Sequence, residues 1–551
     1  MVSDISVLIG GRAGEGINNA GMVVAHLLNN LGYHAYMYYD YPSLIRGGHN
    51  FTLVRAADRK IGVHRATADY VLALNQETVL RHKGRFLPHT VVIYNSDTVK
   101  GEGQGISVTG ALRSVNAPEI MGNSAIIGAF AKAAGIPWET VVGVFTRHLP
   151  KGMQQNLAVA RNGYDQVNAV LPISPGKGKP LPLVTGNEAV GLGLVAGGLS
   201  AYISYPMTPS SSLLHFLAEN AGRIGLSVIH PENEIAVLLM ALGESYAGAR
   251  VAVGTSGGGF CLMAEGLSLA GMAEIPVIIL VSQRTGPSTG LPTYTAQSDL
   301  RFILHAGQGE FPRLILAPGD AGQAYAWSAV AMDIAWRFQV PAFILSDKTL
   351  SEGFYAMEDI EKPGIQKEES HEGEIVTPYE RYRFTESGVS PLRFPGTKGS
   401  VVKVNSYAHD PAGISTEEPD LVAKMTEKRL QKGRTLSEMM ARYETVTHGG
   451  KTGSDTAVIC WGSVLGVCSE VCDELGIRLV QPVVLAPFPA DRIRKALEGV
   501  RRLVAVEENA TGQLGSLLRE SGIPFDRQVL HWDGRPLTPD LLSAHLQEAL
   551  R

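Results

Sequence analysis

The chain has 551 residues, 45% of them hydrophobic, and carries 48 lysines and arginines against 53 aspartates and glutamates, a net charge of −5 at pH 7. A chain of this length exceeds what one hydrophobic core can organise, so we expect two to four domains. The small negative charge argues against a protein built mainly to bind nucleic acid, and the hydrophobic content argues against predominant disorder.

The N-terminus reads MVSDISVLIGG, an acid followed by a short apolar run, unlike the basic start and longer apolar stretch of a signal peptide. No apolar run approaches the roughly 18 to 20 residues that span a bilayer, so we predict a cytoplasmic protein without membrane contact. Four cysteines without CxxC spacing suit a reducing compartment and are too few for a cysteine-ligated cluster. We interpret Cys468 and Cys472, four residues apart on a predicted helix, as buried packing rather than metal ligands.

Residues 1–170 alternate short β-rich runs with helical patterns at 16–31 and 124–134. The predicted strands are SVLIG, HAYMYYD, FTLVR, YVLAL and TVVIYN. This alternation predicts a parallel sheet covered by helices. Residues 171–185, rich in proline, glycine and lysine, are predicted to be a linker.

Residues 186–350 contain a second alternation, with strands AYISY, SVI, VAVG, PVIILVS, RLIL and PAFILS, which predicts a doubly wound α/β domain. Residues 351–454 lose this pattern, and we predict a long connector with one exposed helix whose KRLQKGR run is solvated. The alternation returns over 455–551 and predicts a small third α/β domain. The predicted fold class is therefore α/β, with three domains built on mainly parallel sheets.

A glycine-rich turn, IGGRAGEGINNAG, follows the first predicted strand and opens a helix. Its glycines, Gly10, Gly11, Gly14 and Gly16, do not give the GxGxxG spacing of a dinucleotide-binding turn. They would still let backbone amides approach an anion at a helix N-terminus, so a phosphate site and a plain turn both remain open. In YPSLIRGGHN, Arg46 on a glycine loop suits phosphate or carboxylate binding, with a surface turn as the alternative.

Three further stretches follow predicted strands of the second domain, where open α/β sheets bind ligands. In YPMTPSS, Pro206 and Pro209 restrict the backbone while Thr208, Ser210 and Ser211 supply hydroxyl groups. The alternative role for the serines is capping of the next helix.

In HPENEIAVLLMALG, Pro231 suits the first turn of a helix and places Glu232 and Glu234 there. The helix dipole alone would favour acids at that position, but the apolar run predicts a buried helix, where a carboxylate needs a partner. In SQRTGPSTG, Arg284 could bind a carboxylate or form a structural ion pair. GTSGGGF, at 254–260, lacks the lysine of a P-loop; close helix packing or approach to a cofactor would explain its glycines equally well.

Together, YPMTPSS, PENEIAV, SQRTGPSTG and EENATGQL resemble the α subunit of 2-oxoacid:ferredoxin oxidoreductases. GGRAGEGI and YPSLIRGGHN resemble that family's γ domain, here fused ahead of α. The resemblance implies a γ domain at 1–170, a thiamine diphosphate pyrimidine-binding domain at 186–350 and a transketolase C-terminal-like domain at 455–551. It implies coenzyme A-dependent oxidative decarboxylation of a 2-oxoacid with electrons passing to ferredoxin. The arrangement is most similar to 2-oxoglutarate enzymes; pyruvate and branched-chain or aryl 2-oxoacids remain open.

The resemblance also implies partners and cofactors. Thiamine diphosphate would lie at the interface with a β subunit that carries Mg²⁺ and a [4Fe-4S] cluster, in an (αβ)₂ heterotetramer. The lack of a GDG motif and the few cysteines of this chain agree with that division. A nucleotide-dependent dehydrogenase and a non-catalytic regulatory chain are the alternatives.

Site residues follow from the matched motifs. Glu232 matches the glutamate that hydrogen-bonds the aminopyrimidine, where a carboxyl group favours the tautomer that removes the thiazolium proton. Glu234 lies about 200° further around the helix, so only one of the two can face the cofactor, and we predict Glu232. Thr208 matches the substrate-contacting threonine and Arg284 the carboxylate-binding arginine. The other predicted contacts are Tyr205 and Ser210 to substrate, Pro206, Gly257 and Gly258 to the cofactor, and Gly11, Arg12, Gly14, Gly16 and Arg46 to coenzyme A.

Overall fold

The computed structural model describes residues 4–43, 48–358 and 377–551. These residues divide into two units. Unit 1 contains residues 4–43, 48–185, 352–358 and 537–544, and unit 2 contains residues 186–351, 377–536 and 545–551. Within these ranges, no helix combines the length and the apolar composition needed to cross a membrane.

Unit 1 is built on one large sheet. Its strands are β1 (Asp4–Arg12), β2 (His34–Asp40), β3 (His49–Ala57), β4 (Ala68–Ala73), β5 (Phe86–Asn95), β6 (Gln104–Ile106), β7 (Leu183–Thr185) and, later in the chain, β14 (Phe354–Ala356). Its helices are α1 (Ile17–Asn30), α2 (Gln76–His82), α3 (Val108–Ser114), α4 (Gly122–Ala133), α5 (Trp138–His148) and α6 (Met153–Asp165). Short 3₁₀ turns lie at Lys83–Arg85 and Glu119–Met121.

The sheet of unit 1 has the order β6-β5-β4-β1-β3-β2-β14-β7. Strands β1, β4, β5 and β6 pair in parallel, and the other side of the sheet is antiparallel. Only residues 41–48 separate β2 from β3, too few for a crossover helix, so these strands pair as antiparallel neighbours. Helix α1 packs on this sheet through Val24, Leu27 and Leu28, whose spacing puts them on one buried face.

Residues 171–185 belong to unit 1 and contact the end of α1. The amide of Gly176 donates to the carbonyl of Leu31 at 2.7 Å, and the amide of Gly178 donates to that of Gly32 at 3.1 Å. The last three residues of the range form β7, so at least part of this proline-rich stretch has a fixed conformation.

Unit 2 contains two sheets. The first part of the unit has α7 (Gly186–Ala196), β8 (Ala201–Ser204), α8 (Ser211–Ile224), β9 (Ser227–Ile229), α9 (Glu234–Tyr246), β10 (Val251–Thr255), α10 (Gly257–Ala273), β11 (Val277–Gln283), α11 (Leu300–His305), β12 (Leu314–Leu316), α12 (Ala321–Phe338), β13 (Pro341–Asp347), α13 (Lys348–Glu352) and α14 (Pro419–Met440). The second part has β15 (Val446–Gly450), β16 (Thr456–Ile459), a 3₁₀ turn (Gly462–Val464), α15 (Leu465–Leu475), β17 (Arg478–Pro482), β18 (Val484–Ala486), α16 (Ala490–Ala496), β19 (Arg502–Glu507), α17 (Gln513–Glu520), β20 (Arg527–Leu530) and α18 (Pro539–Ala549). The final residue of α13 and the first residues of α18 fall within the ranges of unit 1.

The first sheet of unit 2 has the order β18-β12-β13-β11-β10-β8-β9, and its strands are parallel except for β18. The second has the order β15-β17-β16-β19-β20 and is parallel except for β15. The predicted α/β class with three sheets is confirmed, and both sheets of unit 2 are mainly parallel as predicted. The parallel sheet predicted for residues 1–170 is wrong at β3, which pairs antiparallel with β1 and β2 because its connection to β2 is too short for a crossover. Cys468 and Cys472 are buried in α15, as predicted.

The charged run in α14 differs from its prediction. Lys428 and Lys432 are 4% and 1% exposed, and both contact the buried carboxylate of Glu274 at the end of α10. The two lysines are four residues apart and therefore lie on one face of the helix. The interpretation of KRLQKGR as a solvated run is wrong at these two positions, because their partner lies 154 and 158 residues away in the sequence.

Candidate active site

The loops that follow β8, β10 and β11 meet at one edge of the first sheet of unit 2. These three strands are neighbours and parallel, so their carboxyl ends lie side by side. The loop after β8 contains Thr208, and Arg284 follows β11 directly. Nη1 of Arg284 donates a hydrogen bond to the carbonyl oxygen of Thr208 at 2.9 Å. The structure therefore brings these two predicted substrate-binding residues together.

The loop between β8 and α8 has a fixed internal geometry. Ser210 is fully buried, and its Oγ donates to the carbonyl of Met207 at 2.7 Å, so this hydroxyl does not cap α8. Thr208 is half-buried, and its hydroxyl makes no hydrogen bond to any residue that the structure describes. Tyr205 and Pro206 are also half-buried. The hydroxyl of Ser210 is therefore occupied within the loop, whereas the hydroxyl of Thr208 is available to a ligand.

The two glutamates of PENE differ in environment. Glu232 is exposed, whereas Glu234 is 3% exposed and its Oε1 has no hydrogen-bond partner among the described residues. Asn233 is the N-cap of α9, and its side chain accepts the amide hydrogen of Ala236 at 3.0 Å. The helix thus starts at Glu234, later than the position of Pro231 indicates, and this phase turns Glu234 rather than Glu232 into the protein.

The predicted cofactor glycines form the first turn of α10. A side chain at Gly257 would collide with the carboxylate of Asp299, whereas a side chain at Gly258 would meet only the carbonyl oxygen of Ser288 at 3.8 Å. A side chain at Gly259 would collide with Glu234. The absence of side chains here is therefore required for two carboxylates to approach the same helix N-terminus.

Asp299 is a residue of this site that the sequence analysis missed. Burial raises the pKa of Asp299 to about 6, although nearby Arg284 opposes the shift. Burial also lowers the pKa of Arg284, opposed by Asp299, and Nε of Arg284 is buried without a hydrogen-bond partner in the described chain. An aspartate before LRFILH is typical of a helix N-cap. The side chain of Asp299, however, makes no capping hydrogen bond to α11. The backbone amide of Asp299 is instead held by Oε1 of Gln283 at 2.9 Å.

The EENATGQL motif has a structural role. The buried carboxylate of Glu507 accepts hydrogen bonds from the backbone amides of Leu514 and Gly515, at 2.8 and 3.0 Å. It also accepts one from Nε1 of Trp461 at 3.1 Å. These bonds satisfy the N-terminus of α17. The backbone next to Glu507 pairs with Gln297, which lies in the loop after Arg284. The motif therefore fixes that loop, and both carboxylate oxygens of Glu507 are used within the protein.

The glycine turn of unit 1 holds an acid of its own. Oε2 of Glu15 accepts the backbone amide of Arg12 at 2.6 Å, and a side chain at Gly11 would collide with that carboxylate. Gly14 and Gly16 have φ angles of +92° and +70°, which explains the glycines through the turn itself. The side chain of Arg12 is exposed. Arg46 lies outside the described residues, and coenzyme A binding by this turn stays a prediction.

Three family models match consecutive parts of the chain. "Pyruvate ferredoxin/flavodoxin oxidoreductase" matches residues 6–166, "Pyruvate flavodoxin/ferredoxin oxidoreductase, thiamine diP-bdg" matches 193–428, and "Pyruvate:ferredoxin oxidoreductase core domain II" matches 454–529. The α subunit of a 2-oxoacid:ferredoxin oxidoreductase from Sulfolobus sp is 28% identical, with 99% of this chain and 96% of that protein covered. The chain belongs to the 2-oxoacid:ferredoxin oxidoreductase family.

Two further relatives agree with this family of oxidoreductases. The 2-oxoglutarate oxidoreductase subunit KorA of Mycobacterium tuberculosis is 30% identical over 67% of this chain and 57% of its own length. Among solved structures, 2-oxoglutarate:ferredoxin oxidoreductase from Magnetococcus marinus, with 2-oxoglutarate, coenzyme A and succinyl-CoA bound, has a TM-score of 0.90 at 26% identity and covers 100% of both chains. These matches support an α-type enzyme subunit over the nucleotide-dependent dehydrogenase alternative.

The site fits the thiamine diphosphate named in that family model. Thr208, Glu234, Gly258 and Arg284 all fall within the match at 193–428. A buried carboxylate oxygen without a partner, such as Oε1 of Glu234, is suited to a ring nitrogen of a ligand. Across the described ranges, no three His, Cys, Asp or Glu side chains are grouped so that they could hold a metal ion.

Proposed function

We propose that this α-type subunit acts with a β subunit to catalyse coenzyme A-dependent oxidative decarboxylation of a 2-oxoacid, with electrons passing to ferredoxin. The observation that carries the proposal is the cluster at the sheet edge, where Arg284, Thr208 and the unpaired carboxylate of Glu234 occur within one thiamine diphosphate family match. The cofactor, when bound, supplies the electron sink that decarboxylation of a 2-oxoacid needs.

We propose 2-oxoglutarate as the preferred substrate. The support is the similar solved structure over the full chain, a 2-oxoglutarate:ferredoxin oxidoreductase with 2-oxoglutarate and succinyl-CoA bound. Pyruvate remains the first alternative because the family models carry its name, followed by branched-chain or aryl 2-oxoacids. The experiment is to measure reduction of a viologen dye by the assembled complex with coenzyme A and each 2-oxoacid. A value of kcat/KM for pyruvate above that for 2-oxoglutarate would reverse the order.

Glu234, rather than Glu232, is the proposed carboxyl group at the aminopyrimidine. Its burial and its unpaired Oε1 support this assignment, since a carboxyl group in such a place can hold a proton at a ring nitrogen without competition from water. Glu232 is exposed and lies outside the helix. The proposed cofactor contacts also include Gly257 and Gly258, at the N-terminal turn of α10, and Pro206.

Arg284 is the proposed ligand of the substrate carboxylate. One N–H of its Nη1 is used by the carbonyl of Thr208, which orients the guanidinium and leaves its other donors to a carboxylate. Asp299 lies near enough to affect the pKa of Arg284 and offsets part of its positive charge. The hydroxyl of Thr208 is the proposed donor to the substrate, and Tyr205 and Ser210 are proposed contacts from the same loop.

A β subunit is proposed to complete the site. Helices α9 and α10 leave large apolar side chains exposed beside Glu234, namely Ile235, Leu239, Met240 and Leu262 at 40% to 49%. A cluster of this kind marks a surface that another protein covers. The β subunit would carry Mg²⁺ and the [4Fe-4S] cluster in an (αβ)₂ assembly. Coenzyme A binding by Gly11, Arg12, Gly14, Gly16 and Arg46 is a separate part of the proposal and rests on the family resemblance.

A further inference from the structure

The loop that carries Thr208 is held from outside by two side chains. Arg284 donates to the carbonyl of Thr208 at 2.9 Å. Asn187, in the first turn of α7, donates through Nδ2 to the next carbonyl, that of Pro209, at 2.8 Å. Two consecutive peptide groups are therefore fixed by side chains from different elements. The orientation of Thr208 relative to Arg284 depends on both of these bonds.

Asn187 also connects the loop to the helix that follows it. The same Nδ2 donates to Oγ of Ser212, in the first turn of α8, at 2.7 Å. Helices α7 and α8 pack closely here, because a side chain at Gly191 would collide with Leu213. Asn187 thus fixes the end of the loop against a rigid pair of helices.

The burial of Asn187 is informative. The residue is 0% exposed, and its Oδ1 has no hydrogen-bond partner among the residues that the structure describes. An unsatisfied buried oxygen disfavours asparagine at such a position, so a specific need for the two donated bonds explains it. Because the side chain is fully buried and both bonds go to the loop and its helix, Asn187 acts through the loop rather than by contact with substrate.

We propose that Asn187 is a positioning residue for 2-oxoacid binding, which holds the Pro209 carbonyl so that the Thr208 hydroxyl and the Arg284 guanidinium keep one mutual geometry. This inference rests on the proposed function and concerns the substrate side of that site. A residue with this role affects the affinity for the 2-oxoacid more than the affinity for the cofactor, because the proposed carboxyl partner of the cofactor, Glu234, lies on α9.

The test is Asn187→Ala in the complex assembled with the β subunit, with Asn220→Ala as the matched control. Asn220 lies on α8, and its Nδ2 donates only within that helix, to the carbonyl of Phe216 at 2.8 Å. We expect the KM for 2-oxoglutarate and for pyruvate to rise about tenfold or more in Asn187→Ala, since small displacements of binding groups are costly. We expect kcat, and the calorimetric Kd for thiamine diphosphate, to stay within about threefold of the wild type. The control leaves all three values unchanged.

Asn187→Leu separates loss of the donor from loss of volume, because leucine keeps the branched side-chain skeleton of asparagine and replaces its polar groups by methyl groups without adding a charge. A raised KM in both variants supports the proposal. An unchanged KM in either assembled variant overturns it, as does failure of both to assemble when Asn220→Ala assembles, which would show a role in the fold as a whole. A wild-type complex inactive on every 2-oxoacid would instead contradict the proposed function.

Discussion

Two glutamates separated by one residue have different environments, and this difference decides which of them is assigned to the cofactor. We expect Glu234→Gln to lower kcat of the assembled complex by about 10²- to 10⁴-fold, the range typical of a lost acid–base group. Glu232→Gln should change kcat by less than about threefold, because its carboxylate is exposed. Viologen reduction with a 2-oxoacid and coenzyme A measures both variants. The reverse order of effects would restore the assignment made from sequence.

Arg284 offers a second prediction at the level of single residues. Arg284→Lys replaces a planar fork of donors with a single ammonium group, so we expect KM for the 2-oxoacid to rise by about 10- to 100-fold. Arg301→Lys is the control, because Arg301 is an exposed arginine on nearby α11. Steady-state kinetics of both variants measure the effect. Equal KM values for the two would show that Arg284 does not bind the substrate carboxylate.

Sequence patterns predicted the edge of the sheet but not every side chain on it. The parallel order of β8, β10 and β11 follows from the alternation of strands and helices, so Thr208 and Arg284 could be placed together. The phase of α9 could not be predicted, because Pro231 and Asn233 are both signals for a helix start and only the folded chain shows which one acts. Asp299 reaches the site through a loop whose path depends on the contact of Gln297 with Trp461 at 2.7 Å.

At the scale of elements, α14 is fixed to α10 by a buried cluster of charges. Burial alone would raise the pKa of Glu274, but Lys432, Lys428 and Arg381 hold it well below its ordinary value. Sequence analysis could not find this cluster because its members come from distant parts of the chain, and an isolated KRLQKGR run is typical of a solvated face. The connector is therefore anchored at this point.

Glu274→Gln should destabilise unit 2 by about 3–5 kcal/mol, because it leaves two buried lysines without their partner. The folded-state pKa of Glu274 lies below its ordinary value of 4.5, so its stabilising effect is complete above that pH and is lost as the pH falls. The measurement is denaturant unfolding at pH 7 and again in acid, where the gap between wild type and variant should narrow. Glu265→Gln, at an exposed position of the same α10, is the control and should stay near the wild type at both pH values. A variant as stable as the wild type at pH 7 would contradict this role.

At the scale of the molecule, the exposed apolar residues of α9 and α10 are predicted to meet the β subunit. Leu239→Asp combined with Leu262→Asp should abolish co-elution of the two subunits in gel filtration, because charges at the centre of an interface oppose burial. Ile224→Asp is the matched control, since Ile224 is 40% exposed at the end of α8. If the double variant still co-elutes with the β subunit, the interface lies elsewhere.

The whole chain also shows why domain boundaries are hard to predict from sequence. Strand β14, at Phe354–Ala356, joins the sheet of unit 1, although most residues of that unit precede Gly186 in the sequence. Composition does not predict that the chain comes back to the first sheet at β14, because a three-residue strand cannot be told from a loop by its sequence pattern. The family itself could be predicted because six motifs occur in the expected order, each at the end of a strand or the start of a helix.

We propose that the 2-oxoacid oxidoreductase site is shared between this chain and a β subunit. The most direct measurement is viologen reduction by this chain alone, by the β subunit alone and by the two together, with thiamine diphosphate, coenzyme A and 2-oxoglutarate supplied and then omitted one at a time. We expect activity only for the assembled complex, and loss of that activity when the 2-oxoacid, coenzyme A or thiamine diphosphate is left out. Full turnover by this chain alone, or activity that does not depend on the 2-oxoacid, would contradict it.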